Sequence, residues 1–120
     1  MRDEGHRPNG AHLLADFYGV KAGLLTDIDS IDQLLREGAQ AAGARILHSH
    51  FHAFGPGMGV TGVLLLAESH ISIHTWPEHG FAAADIFMCG EAQPQRALAV
   101  INTALQPATR KVKTIERGQL

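Results

Sequence analysis

The chain has 120 residues and a mass of 12.9 kDa; 45% of residues are hydrophobic, the formal net charge is −2 and the pI is about 6.4. That describes one domain with enough apolar residues for a core, which excludes wholesale disorder, and a charge balance that argues against a nucleic-acid footprint. The single cysteine, Cys89, excludes an intrachain disulfide framework and fits a reducing compartment.

The first twelve residues are polar and lack the apolar stretch of a secretory signal. The longest apolar run, Val63 to Ala67, is far too short to span a bilayer. A cytoplasmic protein without a membrane partner is expected. Residues 1–10 carry charges with Pro8 and Gly10 but no periodicity, which predicts a flexible tail ahead of a single domain over residues 11–120. His12 to Tyr18 reads as a first strand. From Thr26 or Asp27 to Ala42, the residues Ile28, Ile31, Leu34, Leu35 and Ala39 recur at helical spacing. Asp27 or Asp29 can cap the start, and Gly43 supplies the left-handed residue that ends a helix. Ala44 to His52 then alternates as a strand does.

Phe54 to Gly59 is a glycine-rich loop that feeds an apolar strand, Val60 to Leu66. Ala67-Glu68-Ser69 breaks the apolar run, and the β-branched stretch His70 to Thr75 follows as another strand. Pro77 to Gly80 turns the chain into a strand from Ala82 to Met88. A second helix runs from Glu91 or Pro94 to Leu105, and Lys111 to Glu116 closes the chain as a polar strand. The order β-α-β-β-β-β-α-β implies an α+β fold, a two-layer sandwich of a mostly antiparallel sheet with both helices on one face. The other face then needs cover, which a partner subunit would supply.

Four patterns bear on chemistry. Gly57-Met-Gly-Val-Thr-Gly62 fits the dinucleotide fingerprint letter for letter, yet it opens a strand where that fingerprint needs a helix N-terminus. A hairpin turn is the better reading. His48, His50 and His52 alternate on one strand face, and two of them at about 6.6 Å could chelate a metal. A third ligand is missing nearby, because His70 and His74 lie about 13 Å apart on an extended chain; no metal is expected. Cys89 ends a strand ahead of Gly90, where catalytic side chains are often displayed, although a lone cysteine is more often a small buried hydrophobe. Finally, Glu68-Ser69 sits in a tight turn. A constrained serine there can aim its hydroxyl at the preceding carbonyl, with Thr61 and His74 as candidate assistants in rearranging that peptide bond.

Glu68-Ser-His-Ile-Ser-Ile-His-Thr-Trp-Pro-Glu78 and Asp85-Ile-Phe-Met-Cys-Gly90 together resemble the prokaryotic S-adenosylmethionine decarboxylases, over about residues 10–118. The resemblance implies a proenzyme that cuts itself between Glu68 and Ser69. It would leave residues 1–68 as a β-chain and 69–120 as an α-chain whose first residue, derived from Ser69, is a covalent pyruvoyl cofactor. That group takes the substrate amine as a Schiff base and acts as the electron sink for decarboxylation. By the same resemblance His74, and with it the hydroxyl of Thr61, assists processing, and Cys89 protonates the product. Phe54 stacks on adenine, Trp76 lines the pocket and Glu78 binds the ribose hydroxyls. Thr61 stands where many members carry serine. The family pattern also implies a homodimer of processed αβ protomers and a role in supplying the aminopropyl donor for spermidine. The same cofactor chemistry serves arginine or ornithine in related enzymes, and a non-catalytic or metal-binding relative is the reading from another class.

Overall fold

The computed structural model describes residues 8–119. The expected tail falls mostly on residues 1–7, outside the described residues; Gly10, placed in that tail, instead begins the first strand. Six strands form one antiparallel sheet: β1 (Gly10–Tyr18), β2 (Ile46–Ala53), β3 (Val60–Leu66), β4 (Ser69–Trp76), β5 (Phe81–Cys89) and β6 (Thr109–Arg117). Their order across the sheet is β2-β3-β4-β5-β1-β6, so the first and last strands pair at one edge. Two helices, α1 (Ile28–Ala42) and α2 (Pro94–Leu105), pack against one face. The α+β class and both helices are as expected. Several strands run one or two residues beyond their sequence-based limits because ladder pairing continues past the apolar run.

The local reasons are ordinary ones. Asp27 caps α1: its Oδ2 accepts from the Ser30 N–H at 3.0 Å and the Ser30 hydroxyl at 2.6 Å, and these bonds hold its carboxyl below the usual carboxylate range. Gly43, with φ of 82°, ends the helix in the left-handed conformation. Pro94 starts α2 at its first turn, where no amide hydrogen is needed. Gly38 lets the helices close up, since a Cβ there would lie 3.3 Å from the Ala97 carbonyl oxygen.

Period-two alternation divides the strands between two environments. Leu13, Phe17, Leu64, Ile71, Ile73 and Ile86 face the helices and are fully buried. The residues between them form an open face, where Leu14 and Val63 are half-buried and Leu65 is exposed. No described element covers that face. Strand β6 is exposed along its whole length. Among the described residues no helix is long and apolar enough to cross a membrane.

Candidate active site

Strands β3 and β4 form a two-residue hairpin, with Leu66 opposite Ser69 and Ala67-Glu68 as the turn. Glu68 has φ of 63°, a left-handed conformation that a residue with a Cβ adopts at a cost of roughly 1–2 kcal/mol. Ala67 does not share the positive φ. Two-residue hairpins favour primed turns, which require positive φ at the first turn position, so this turn opposes the natural twist of its strands. Strain is therefore stored next to the bond joining Glu68 to Ser69.

The half-buried Ser69 lies at the start of β4, and its hydroxyl oxygen accepts from the Cys89 backbone N–H at 3.3 Å. The antiparallel pairing of β4 with β5 brings that amide across the sheet end, although twenty residues separate the two in sequence. The Cys89 side chain occupies the open face, where Gly10, its register partner, leaves room: a Cβ on Gly10 would lie 2.9 Å from the sulfur. The thiol sits 3.7 Å from the Pro8 carbonyl oxygen. Burial, followed by the charge of Glu68, pushes its pKa up. A raised pKa keeps the thiol from the thiolate form that makes a cysteine nucleophilic. A pocket of about 250 Å³ lies here between Arg45, Glu68, Ser69 and Cys89, below the usual size of a ligand site.

At the opposite end of the same hairpin, Thr61 lies opposite His74, with Thr61 Oγ1 and His74 Nδ1 3.0 Å apart. Here a larger cleft, about 630 Å³, is lined by Phe54, Thr61, His74, Trp76 and Glu78. That volume is typical for a small-molecule site. Phe54 and Trp76 are 55% and 40% exposed, unusually open for aromatic rings, and Trp76 packs in a tilted arrangement on Phe81 at 5.4 Å. Glu78 comes from a short 3-10 turn, Pro77–His79, after β4. The glycine-rich segment enters β3 from a hairpin loop, as its flanking strands implied, and opens no helix.

The candidate residues therefore fall into two groups. Ser69 and His74 are five residues apart on one extended strand, about 17 Å by strand rise. Thr61 and His74 cannot assist Ser69 within the same chain, as nearness in sequence had suggested. Among the described residues, no three His, Cys, Asp or Glu side chains group as metal ligands.

Two features escaped the sequence reading. Thr75 is buried among apolar neighbours; its hydroxyl donates to the Leu25 carbonyl at 2.7 Å and accepts from the Val60 N–H at 2.8 Å, fixing the root of the glycine-rich loop. Its place in the alternation, on the helix side with Ile71 and Ile73, was the available signal. On the open face, His12 Nε2 lies 3.4 Å from Asp85 but out of line for a hydrogen bond, and the Ser72 hydroxyl donates to the same carboxylate at 3.3 Å. Burial first, then the neighbouring His12, pulls the His70 pKa down, against the opposing pull of Asp85. These groups became neighbours only through strand order.

The fold and site define a class: a helix-backed antiparallel sheet carrying a serine in a strained hairpin beside a half-buried cysteine. The family model described as S-adenosylmethionine decarboxylase matches residues 11–118, and the chain belongs to that family. Among its relatives, the S-adenosylmethionine decarboxylase proenzyme of Persephonella marina is 46% identical over 110 residues, covering 91% of this chain and 82% of the relative. The proenzyme of Thermotoga maritima is 42% identical over 111 residues, covering 92% and 85%. The crystal structure of the Aquifex aeolicus adenosylmethionine decarboxylase superposes with a TM-score of 0.86 at 41% identity, covering 95% of this chain and 94% of the other.

Proposed function

We propose that the chain is a cytoplasmic proenzyme that cuts itself between Glu68 and Ser69 and then decarboxylates S-adenosylmethionine. The observation that carries this reading is the left-handed Glu68 beside a serine hydroxyl already held by the Cys89 amide. In the processing step Ser69 Oγ attacks the Glu68 carbonyl carbon. The C–N bond breaks as nitrogen takes up the hydroxyl proton, leaving an ester and a free amine. Loss of the Ser69 Cα proton then expels Glu68 as a carboxylate. Water converts the dehydrated residue 69 to a pyruvoyl group, with release of ammonia.

The donor set suits such a group: residue 69 becomes a chain terminus in a pocket containing a thiol that keeps its proton. The pyruvoyl ketone supplies a covalent anchor for the substrate amine and a sink for the electrons left when carbon dioxide departs. This chain's own residues do the rest. Cys89 delivers its proton from Sγ to the carbon that lost the carboxylate. Phe54 and Trp76 offer faces to the adenine, and the Glu78 carboxylate accepts hydrogen bonds from the ribose hydroxyls. The product would be the aminopropyl donor for spermidine.

A homodimer joins the two groups. A two-fold axis lying in the open face, perpendicular to the strands, exchanges the ends of β4, so each Ser69 end meets the partner's Thr61–His74 end. The uncovered open face supports this packing, as does the small size of the pocket at Ser69. The hydroxyl of Thr61, held 3.0 Å from His74, would then help move protons at the partner's scissile bond. The activity is tested by carbon dioxide release from carboxyl-labelled S-adenosylmethionine, arginine and ornithine in parallel. Release from S-adenosylmethionine in clear excess is expected; release from arginine or ornithine instead would overturn the substrate assignment.

A further inference from the structure

His52 lies near the end of β2, and its register partner is Thr61, so its imidazole shares the open face with the Thr61–His74 pair. Its ring meets Phe54 edge to face, with centroids 4.7 Å apart and planes at 74°. Phe54 itself lies beyond the strand, on a loop whose Gly55 and Gly57 both have positive φ. A backbone bond from the Phe54 N–H to the Gly59 carbonyl, 3.0 Å, ties the main chain there and leaves the ring to be held by packing. His52 is not among the residues that line the cleft.

We propose that His52 is a positioning residue for substrate specificity: it holds the Phe54 ring at the cleft mouth in the orientation that stacks on a purine. An exposed ring on a glycine-rich loop loses rotamer and loop freedom when a base stacks on it. An edge-to-face contact with a ring anchored on a strand removes part of that freedom beforehand and is directional, unlike simple burial. His52 therefore acts through Phe54 and touches no substrate atom. This role rests on the reading of the cleft as the nucleoside site.

The competing role is proton transfer, since His52 stands beside Thr61. Shape and proton transfer separate cleanly, because phenylalanine can replace the ring but cannot carry the proton. The experiment uses the full, processed enzyme with His52→Ala, His52→Phe and Phe54→Ala, measuring steady-state decarboxylation across pH and competitive inhibition by adenosine. His52→Ala should raise KM and weaken adenosine inhibition by about 2- to 12-fold, the range expected for one aromatic pair. The loss should fall on KM, with the pH profile of kcat in place, and His52→Phe should restore both readouts. A His52→Phe enzyme as poor as His52→Ala, or a displaced kcat profile, overturns the positioning role. If Phe54→Ala weakens adenosine inhibition and His52→Ala does not, the role of His52 falls alone. If neither weakens it, the nucleoside reading of the cleft falls and takes this role with it.

Discussion

Substituting Glu68 by glycine tests whether backbone strain helps drive self-cleavage. The φ of 63° at Glu68 is costly for any residue with a Cβ and nearly free for glycine. Removing it lowers the energy of the uncut chain by roughly 1–2 kcal/mol. If the strain is relieved as the peptide carbon becomes tetrahedral, the barrier rises by the same amount and cleavage slows roughly 5- to 30-fold. Glutamine at the same position is the control, because it keeps the strained backbone and removes only the charge. Freshly refolded Glu68→Gly, Glu68→Gln and parent chains would be followed by gel densitometry as the full-length band divides. The expected order is parent and Glu68→Gln together, with Glu68→Gly slower. Cleavage of Glu68→Gly at the parental rate would refute the strain argument, and equal slowing of Glu68→Gln would transfer the effect to the carboxylate.

Neither Ser69→Ala nor His74→Ala should be cut efficiently alone, but co-expression should yield cleavage of the His74→Ala chain only, with its serine served by the partner's histidine. Cleavage of neither chain would remove the shared site. Cys89→Ala should be cut and then decarboxylate about 10²- to 10⁴-fold more slowly, the range for a lost general acid; full turnover would remove Cys89 from the chemistry. In uncut Ser69→Ala, alkylation should titrate the Cys89 thiol above the ordinary range, and Glu68→Gln should bring it part of the way down, because burial is the larger cause and the Glu68 charge the smaller. The raised pKa keeps the proton on Cys89 through neutral pH, so any loss of proton donation belongs to the alkaline limb. Thr75→Val leaves the Val60 amide and the Leu25 carbonyl without the hydroxyl, costing about 2–4 kcal/mol in urea denaturation. Thr75→Ser should recover most of that loss.

The architecture was largely legible because period-two and period-3.6 patterns report burial directly. Ile31, Leu34 and Leu35 mark the buried stripe of α1, and Ile71 and Ile73 mark the helix side of β4. Gly43 and Pro94 punctuate the helices as their backbone preferences require. The start of β1 at Gly10 was not legible, since a glycine without a partner in view carries no strand signal; its pairing with Cys89 and Arg117 makes it one. The candidate residues were legible as types and not as an arrangement. Ser69 and His74 look adjacent in the sequence, yet a strand carries them to opposite ends of a sheet. The contact between Ser69 and Cys89 depends on the β4–β5 register, and the strain at Glu68 depends on a turn conformation that residue letters do not encode.

Intact mass measurement of the purified chain tests self-cleavage most directly. Two fragments are expected, residues 1–68 and residues 69–120, the second lacking a free amino terminus because a pyruvoyl group replaces Ser69. A single full-length chain that retains its serine after long incubation would contradict it.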